Sequence, residues 1–452
     1  MGTFHLSRGY DIPLAGEPES TVVDAAKPQT VAICPTDFLG LKVRPVADVG
    51  DKVKVGSPLV SNKEDDSHVF TSPVSGTVKE IRRGARRVIT HVVIECDGGN
   101  DAVEFGSYDS AKIASLSRES VLEQVKASGM LAIFRERPFN FTARPSRPPR
   151  DIFVSTFDTG PLAPDLRVLV EGQEAAFQAG LEVCRRLTEG DVHVGVVGVG
   201  EPHPAFAKAQ NVKIHQFSGA HPAGNVGVHI HHVAPVKGRN DVVWTLNVAG
   251  VLMLGRLFLT GKVDPSLIVA VTGTGASVRQ HVRTVQGAPL SALLGGKVEA
   301  GELRYVSGGP LTGAKISADD YLRFYDLQVT VLPEATEAEF IGWMLPGGNK
   351  DSWFRVFLGK VMGGKRFTKD TRLAGGHRAM VWTGHYESVT PIDVLPGFLY
   401  KSIRAGDIEE MEGLGIYEVV EEDVALCEYI CPSKTDFQAT LRRGIDLIDK
   451  EG

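Results

Sequence analysis

The chain has 452 residues, 42% hydrophobic and 23% charged, an ordinary globular composition with room for three or four domains. A net charge of −6 and a pI near 6.1 exclude a general nucleic-acid binder, which carries a basic surplus. Five cysteines (Cys34, Cys96, Cys184, Cys427 and Cys431), odd in number and mostly far apart, exclude a disulfide framework.

The first residues, MGTFHLSRGYDIPLAG, lack the apolar core and cleavage site of a signal peptide. Residues 40 to 95 read as short strands separated by Gly and Pro turns, with Val53, Val55, Val78 and Ile81 facing inward. Arg82, Arg83, Arg86 and Arg87 form a basic cluster there. The capping-box spacing of Ser120 and Glu123 predicts a helix with Leu122 and Val125 on its apolar side and Gly129 beyond its end. Leu131–Phe134 and Ile152–Thr156 read as short strands. Between them, RPFNFTARPSRPPR reads as a stiff, exposed loop. Arg135, Arg137, Arg144, Arg147 and Arg150 make that region a second basic cluster, suited to docking on a partner or on anionic headgroups.

Phe177, Leu181 and Cys184 recur at helical spacing within 171–187, and VHVGVVGVG reads as a buried parallel strand entering a glycine turn. Strands alternating with helices predict a Rossmann-type layer. Val242–Leu259 is the longest apolar stretch, but Asn247 and Arg256 interrupt it well short of the ~20 residues a membrane span needs. From Lys262 the pattern becomes that of a compact β-grasp unit: SLIVAVTG, a short helix near Ala292–Leu294, then LRYVSGGPLTG. After Leu332 the chain turns irregular and aromatic (WFRVFLGK) and ends in helices, the last showing Phe437, Leu441, Ile445 and Ile448 on one face. Asp407–Glu428 holds nine acids and no Lys or Arg.

Few motifs carry chemistry. VGDKVKVGSPLV followed by SPVSGTVKEI resembles the lipoyl/biotinyl carrier fold, yet the position of the modified lysine is Asp65, with Lys63 two residues away, so the fold serves as scaffold. Gly195, Gly198 and Gly200, and again Gly273 and Gly275, fall short of a full phosphate-binding fingerprint and read as strand-end turns. On a strand, His229 and His231 would share a face and, with His232, His215 and His221 nearby, offer metal-type ligands, but no close Cys or acid completes the set, so they read as histidines hydrogen-bonding backbone in a Gly-rich turn. Cys427-Glu-Tyr-Ile-Cys431-Pro432 keeps the last part of an iron–sulfur run without the other thiolates a cluster needs.

Seven segments in order, from GYDIPLAGEP and VFTSPVSGTVKEIRRGARRV through SGAHPAGNVGVHIHHVAPV, VVWTLNVAGVLMLGRLFLTG, LRYVSGGPLTG and RAMVWTGHYESVTPIDVLP to EEDVALCEYICPSKTDF, resemble the NqrA family of the sodium-pumping NADH:quinone oxidoreductases, over nearly the whole chain. The resemblance implies a mixed α/β multidomain fold. Its parts are a carrier-like β domain with an N-terminal extension (1–103), a Rossmann-like α/β domain (104–261), a β-grasp, SLBB-like domain (262–332) and a mainly helical C-terminal domain (333–452). This layout is similar to the flavin-binding subunit of complex I, whose glycine-rich FMN loop and cysteine set are not complete here. The implied role is peripheral, on the cytoplasmic side of the inner membrane, with membrane-spanning proteins of the complex as partners and no cofactor, metal or catalytic residue in this chain. FMN, FAD with NADH oxidation, and iron–sulfur centres are expected on other subunits, and ubiquinone is the substrate. For its headgroup the resemblance points to FLGLKVRP and RERPFNF: Phe38, Leu39 and Phe139 as walls, Arg44 and Arg137 as donors.

Overall fold

In a computed structural model, residues 2–451 are described apart from 338–341, 343, 345, 355, 360–363, 374, 382 and 383, so WFRVFLGK is described except at 355 and 360. Strand pairing sorts the described residues into four sheets. Two of them form the carrier-like sandwich. Thr30–Ile33, Ile89–Cys96, Gly76–Arg83 and Lys52–Val53 pair in that order, and Val43–Pro45, Pro58–Asn62 and Val69–Thr71 make the other sheet. Alternation buries Val31, Ile33, Val78, Val92 and Ile94 between them, with Leu59, Phe38 and Phe70 filling the middle. Val53 and Val78 are buried, while Val55 and Ile81 are only partly so.

The largest sheet has seven strands, in the order Gly2–His5, Lys213–Ser218, Val192–Val197, Asp151–Ser155, Val243–Asn247, Arg135–Arg137 and Phe141–Thr142. The first five run parallel and the last two turn back antiparallel. Taking the four parallel strands from 151 to 247 by sequence, the spatial order is third, second, first, fourth. The connection therefore reverses direction between Asp151–Ser155 and Val243–Asn247, a topological switch point.

Helices Glu174–Leu187 and Val248–Thr260 pack on this sheet and on each other at glycines. A Cβ on Gly255 would collide with the carbonyl oxygen of Ala176, and one on Gly180 with that of Val251. Phe177, Leu181 and Cys184 are buried along this helix, as their spacing predicts.

Three local expectations change. The helix before the sheet is Arg118–Ala127, capped by the Ser117 hydroxyl, which accepts from Ser120 N; Val121 and Val125, not Leu122, are its buried residues. Met130–Ile133 is a 3-10 turn and not a strand, because Gly129 sits at φ 77 and starts a new turn directly after the helix. The first half of the Pro/Arg-rich loop is not exposed: Phe139, Phe141, Thr142 and Ala143 are buried, and both rings join the core shared with the C-terminal helices, while Ser146, Pro148 and Arg150 further on stay exposed.

The β-grasp sheet runs Ala314–Ile316, Leu303–Ser307, Gln328–Pro333, Ser266–Thr272, Gln280–Val285 and Glu19–Asp24, over the helix Leu290–Leu294. Two edge strands thus come from the first 24 residues. Gly2–His5 borders the Rossmann-like sheet and Glu19–Asp24 borders the β-grasp sheet, which ties the domains together from the N-terminus. The C-terminal part is built on Pro396–Ala405, Ile408–Gly413, Ala425–Ile430 and Phe437–Glu451. Phe437, Leu441, Ile445 and Ile448 are buried, as their periodicity predicts. Among the described residues no helix is long and apolar enough to cross a membrane; Val242–Leu259 divides into a strand and the helix that follows it.

The glycine crossing sets an expectation. Gly255→Ala should destabilise the protein by about 3 kcal/mol, since backbone faces the new methyl and neither helix can move independently of the sheet. Gly238→Ala, with open space around it, should be near neutral. Urea midpoints of the two variants measure the difference.

Candidate functional site

A cavity of about 560 Å³ opens at the carboxyl ends of the parallel strands, at the switch point. Ser155 ends one flanking strand and Asn247 the other, and both line it. Asn247 Oδ1 accepts from Gly250 N at 2.9 Å, capping the helix that follows. Every domain contributes to the wall: Asp37 and Leu39 from the sandwich, Arg323, Tyr325 and Asp326 from the β-grasp unit, Glu422 and Arg442 from the C-terminal part.

Hydrogen bonds hold these groups from several sides. Asp37 accepts from Arg323 Nε at 3.0 Å and Phe324 N at 2.8 Å. The Tyr325 hydroxyl donates to Ala132 O at 2.8 Å, and the guanidinium of Arg135 lies 4.6 Å over its ring. Asp326 accepts from the Ser307 hydroxyl at 2.7 Å; burial pushes its carboxyl above the usual range, against the pull of Arg323. Glu422 is also raised, by burial and by the neighbouring Asp423, with Arg137 opposing. Its side chain is 42% exposed, toward the cavity.

Arg137 ties the cavity wall together. It is buried and pairs with Glu422 at 3.0 Å and Asp423 at 3.2 Å. Asp423 also accepts from Val420 N at 3.0 Å. The Nε of Arg137 is buried without a partner. Of the five residues expected at the headgroup, Leu39 and Arg137 line the cavity. Phe38 lies inside the sandwich, stacked on Phe70 with centroids 3.9 Å apart. Phe139 is buried against Phe141 and Tyr417. Arg44 stands on the surface, paired with Asp66.

Models of three domains match: the NqrA N-terminal barrel-sandwich hybrid domain over residues 4–97, the NqrA second alpha/beta domain over 116–263, and the NQRA C-terminal domain over 268–318. The NqrA component of the Na(+)-translocating NADH-quinone reductase of Pasteurella multocida is 40% identical over 449 residues, covering 99% of each chain. That of Mannheimia succiniciproducens is 41% identical and that of Vibrio anguillarum 39%, each over 448 residues and 99% of both chains. The chain belongs to the NqrA family of Na(+)-translocating NADH-quinone reductase subunits.

In this family member the remaining motifs are structural. Residues 226–233 form the helix Val226–Val233 and not a turn, so His229 and His231 do not share a face as they would on a strand. His229 stacks on Phe217 and its Nε2 meets Ala223 O at 2.9 Å; His231 meets Glu418 and His232 meets Val228 O. Gly195 is required by this packing, because a Cβ there would strike the His229 ring. Asp65 pairs with Lys126 at 3.0 Å. Cys427 and Cys431 are buried beside Thr390 and Tyr386. Among the described residues, the one grouping with metal-ligand spacing is Asp151, Asp191 and His193, at the opposite end of the sheet, where Arg150 and Lys213 already pair with the acids.

The second basic cluster is consumed internally. Arg144 and Arg147 pair with buried Glu136, Arg150 with Asp241, and Arg137 with the acidic stretch. The clusters that sequence sets apart are partners in the fold.

Two outcomes follow. Arg137→Ala strands Asp423 in the interior and leaves Glu422 without its ion-pair partner, and should cost about 3–5 kcal/mol in urea unfolding, whereas Arg44→Ala should cost under about 1 kcal/mol. Burial pushes His229 down to about 4. The unfolded chain, with its imidazole near its ordinary value of about 6.5, then binds the extra proton between those two values, so stability falls as pH drops. From about pH 7 to pH 5 this one residue should remove about 1–2 kcal/mol. His229→Phe should flatten the dependence of the urea midpoint on pH by that amount; an unchanged slope rejects a neutral buried imidazole.

Proposed function

We propose that this chain contributes the binding site for the ubiquinone headgroup in a complex that couples NADH oxidation to sodium export. In this reading it sits peripherally on the cytoplasmic side of the membrane against membrane-spanning subunits. Flavins, NADH oxidation and iron–sulfur chemistry belong to other subunits, and the isolated chain has no turnover of its own.

The observation that carries the proposal is the switch-point cavity, whose lining brings together Leu39 and Arg137, two of the residues expected at the headgroup. Leu39, Leu246 and the ring of Tyr325 supply flat or apolar surface for the headgroup, and Arg135 and Arg323 supply further positive charge. Reducing a quinone to quinol takes two electrons and two protons. The electrons come from redox centres elsewhere in the complex. Asp326 and Glu422, both held above the usual carboxyl range, are suited to deliver protons to the two oxygens as charge develops there.

Ligand-observed NMR with a short-chain ubiquinone and a competitor tests this on the purified chain. Saturable, competable binding is expected. Leu39→Glu should weaken it about tenfold by placing a carboxylate against the headgroup, and Arg137→Lys, which keeps the charge but loses the planar fork of donors, should weaken it similarly. Arg44→Ala should change nothing. Absence of binding by a folded chain would move the site to a membrane partner and leave this chain as its cover.

A further inference from the structure

Of the two basic clusters in the sequence, one is consumed by internal acids and the other stays outside. Arg82, Arg83, Arg86 and Arg87 stand at the end of the hairpin made by Gly76–Arg83 and Ile89–Cys96. The hairpin is braced against the β-grasp unit below that end. His91 meets Asp320 at 3.1 Å, and the guanidinium of Arg82 lies 5.9 Å from the centre of the Tyr321 ring while pairing with Glu80 at 3.0 Å. Beyond this brace residues 83–88 are all exposed, Val88 by 51%. Arg83 Nη1 donates to Arg87 O at 3.2 Å, which leaves its charge unneutralised. Among the described residues, none of Arg83, Arg86 and Arg87 pairs with a carboxylate, in a protein of net charge −6.

The backbone at this apex does not suit the side chains it carries. Val88 N donates to Ala85 O at 3.2 Å and Gly84 N to Val88 O at 2.8 Å, closing a tight turn. Its two central residues, Arg86 and Arg87, have φ of 54 and 61. Positive φ at both central positions is the geometry that Asn-Gly and Gly-Gly adopt readily and that a side chain with a Cβ disfavours. Two arginines there weaken the turn, and their side chains make no hydrogen bond or ion pair among the described residues to offset it. A local preference overridden with no internal compensation is expected where the side chains serve an outside partner. That partner must be anionic, and the apex is small. A stable protein interface buries about 1,000 Å² or more, which one turn does not supply by itself. An anionic leaflet asks for less: each arginine near the headgroups adds its own attraction, and Val88 with the arginine methylenes enters the headgroup layer.

We propose that the hairpin apex, residues 83–88, docks on anionic phospholipid headgroups through Arg83, Arg86 and Arg87. Co-sedimentation of the purified full chain with vesicles at low ionic strength tests this. Phosphatidylcholine vesicles containing phosphatidylglycerol should retain about fivefold more protein than phosphatidylcholine alone, and salt at about 0.5 M should erase the difference. Arg86→Asn with Arg87→Gly, the pair this turn prefers, should remove most of that difference while the urea midpoint stays level or rises. Lys208→Gln with Lys237→Gln alters net charge by the same amount at exposed positions of another domain and should leave retention unchanged. Equal retention on both vesicle types, retention that the apex pair leaves unchanged, or an equal loss from both pairs overturns the proposal. So does apex-dependent capture by the other subunits of the complex with no vesicle binding, which assigns the hairpin to a protein interface instead.

Discussion

Arg137 is almost wholly withdrawn from water, and the hydration it gives up must be returned by Glu422 and Asp423, some 285 residues further along the chain. A buried ion pair of this kind contributes little net stability when intact but is costly to break, so it acts on specificity more than on strength. Here it selects one placement of the C-terminal part against the Rossmann-like sheet. Asp423 is seated on the helix Val226–Val233, where a Cβ on Gly227 would press into its carboxylate. Glu421, the acid before Glu422 and Asp423, accepts from Asn140 at 2.9 Å and from Arg442 at 3.1 Å, so all three acids of this short turn are held from the facing elements. The walls of the cavity follow from that placement.

The same pairing explains why charge patterning misled. Arg135 to Arg150 and Asp407 to Glu428 look like two solvated patches of opposite sign. A count along the chain cannot register that one folds onto the other, because the information lies in a contact between distant segments. Phe139 and Phe141 pack into the C-terminal core beside that contact, and they draw the Pro/Arg-rich loop inward with them. The elements themselves were legible wherever one face is buried by a regular period, as in Glu174–Leu187, Val192–Val197 and Phe437–Glu451. Legibility failed where a short segment takes its conformation from its neighbours. Val226–Val233 is a short helix with Val228 and His229 buried on the side it packs by, and the edge strands Gly2–His5 and Glu19–Asp24 are defined by sheets formed hundreds of residues later. At the candidate site, the resemblance pointed to Leu39 and Arg137, which the cavity brings together. Tyr325 and Asp326 lie in a connection with no motif, and sequence offers no signal for them.

The switch point also bears on what kind of ligand the cavity suits. In a dinucleotide-binding fold, the turn after the first strand is rich in glycine and delivers a helix N-terminus to the phosphates. Here that turn follows Asp151–Ser155 and carries Asp158 on the cavity wall, and the helix that comes after it, Arg167–Val170, has four residues. A phosphate placed there would meet a carboxylate instead of a row of free N–H groups. Gly198 and Gly200, after Val192–Val197, do not replace the missing loop, since the helix that follows them, Pro204–Ala207, is again a single turn. Recognition in this cavity must therefore come from side chains: arginines already partly neutralised by Asp37, Glu421 and Glu422, with aromatic and aliphatic surface between them. Such a wall has donors to offer but no large excess of positive charge. That balance favours a neutral headgroup with carbonyl oxygens over a dianionic phosphate.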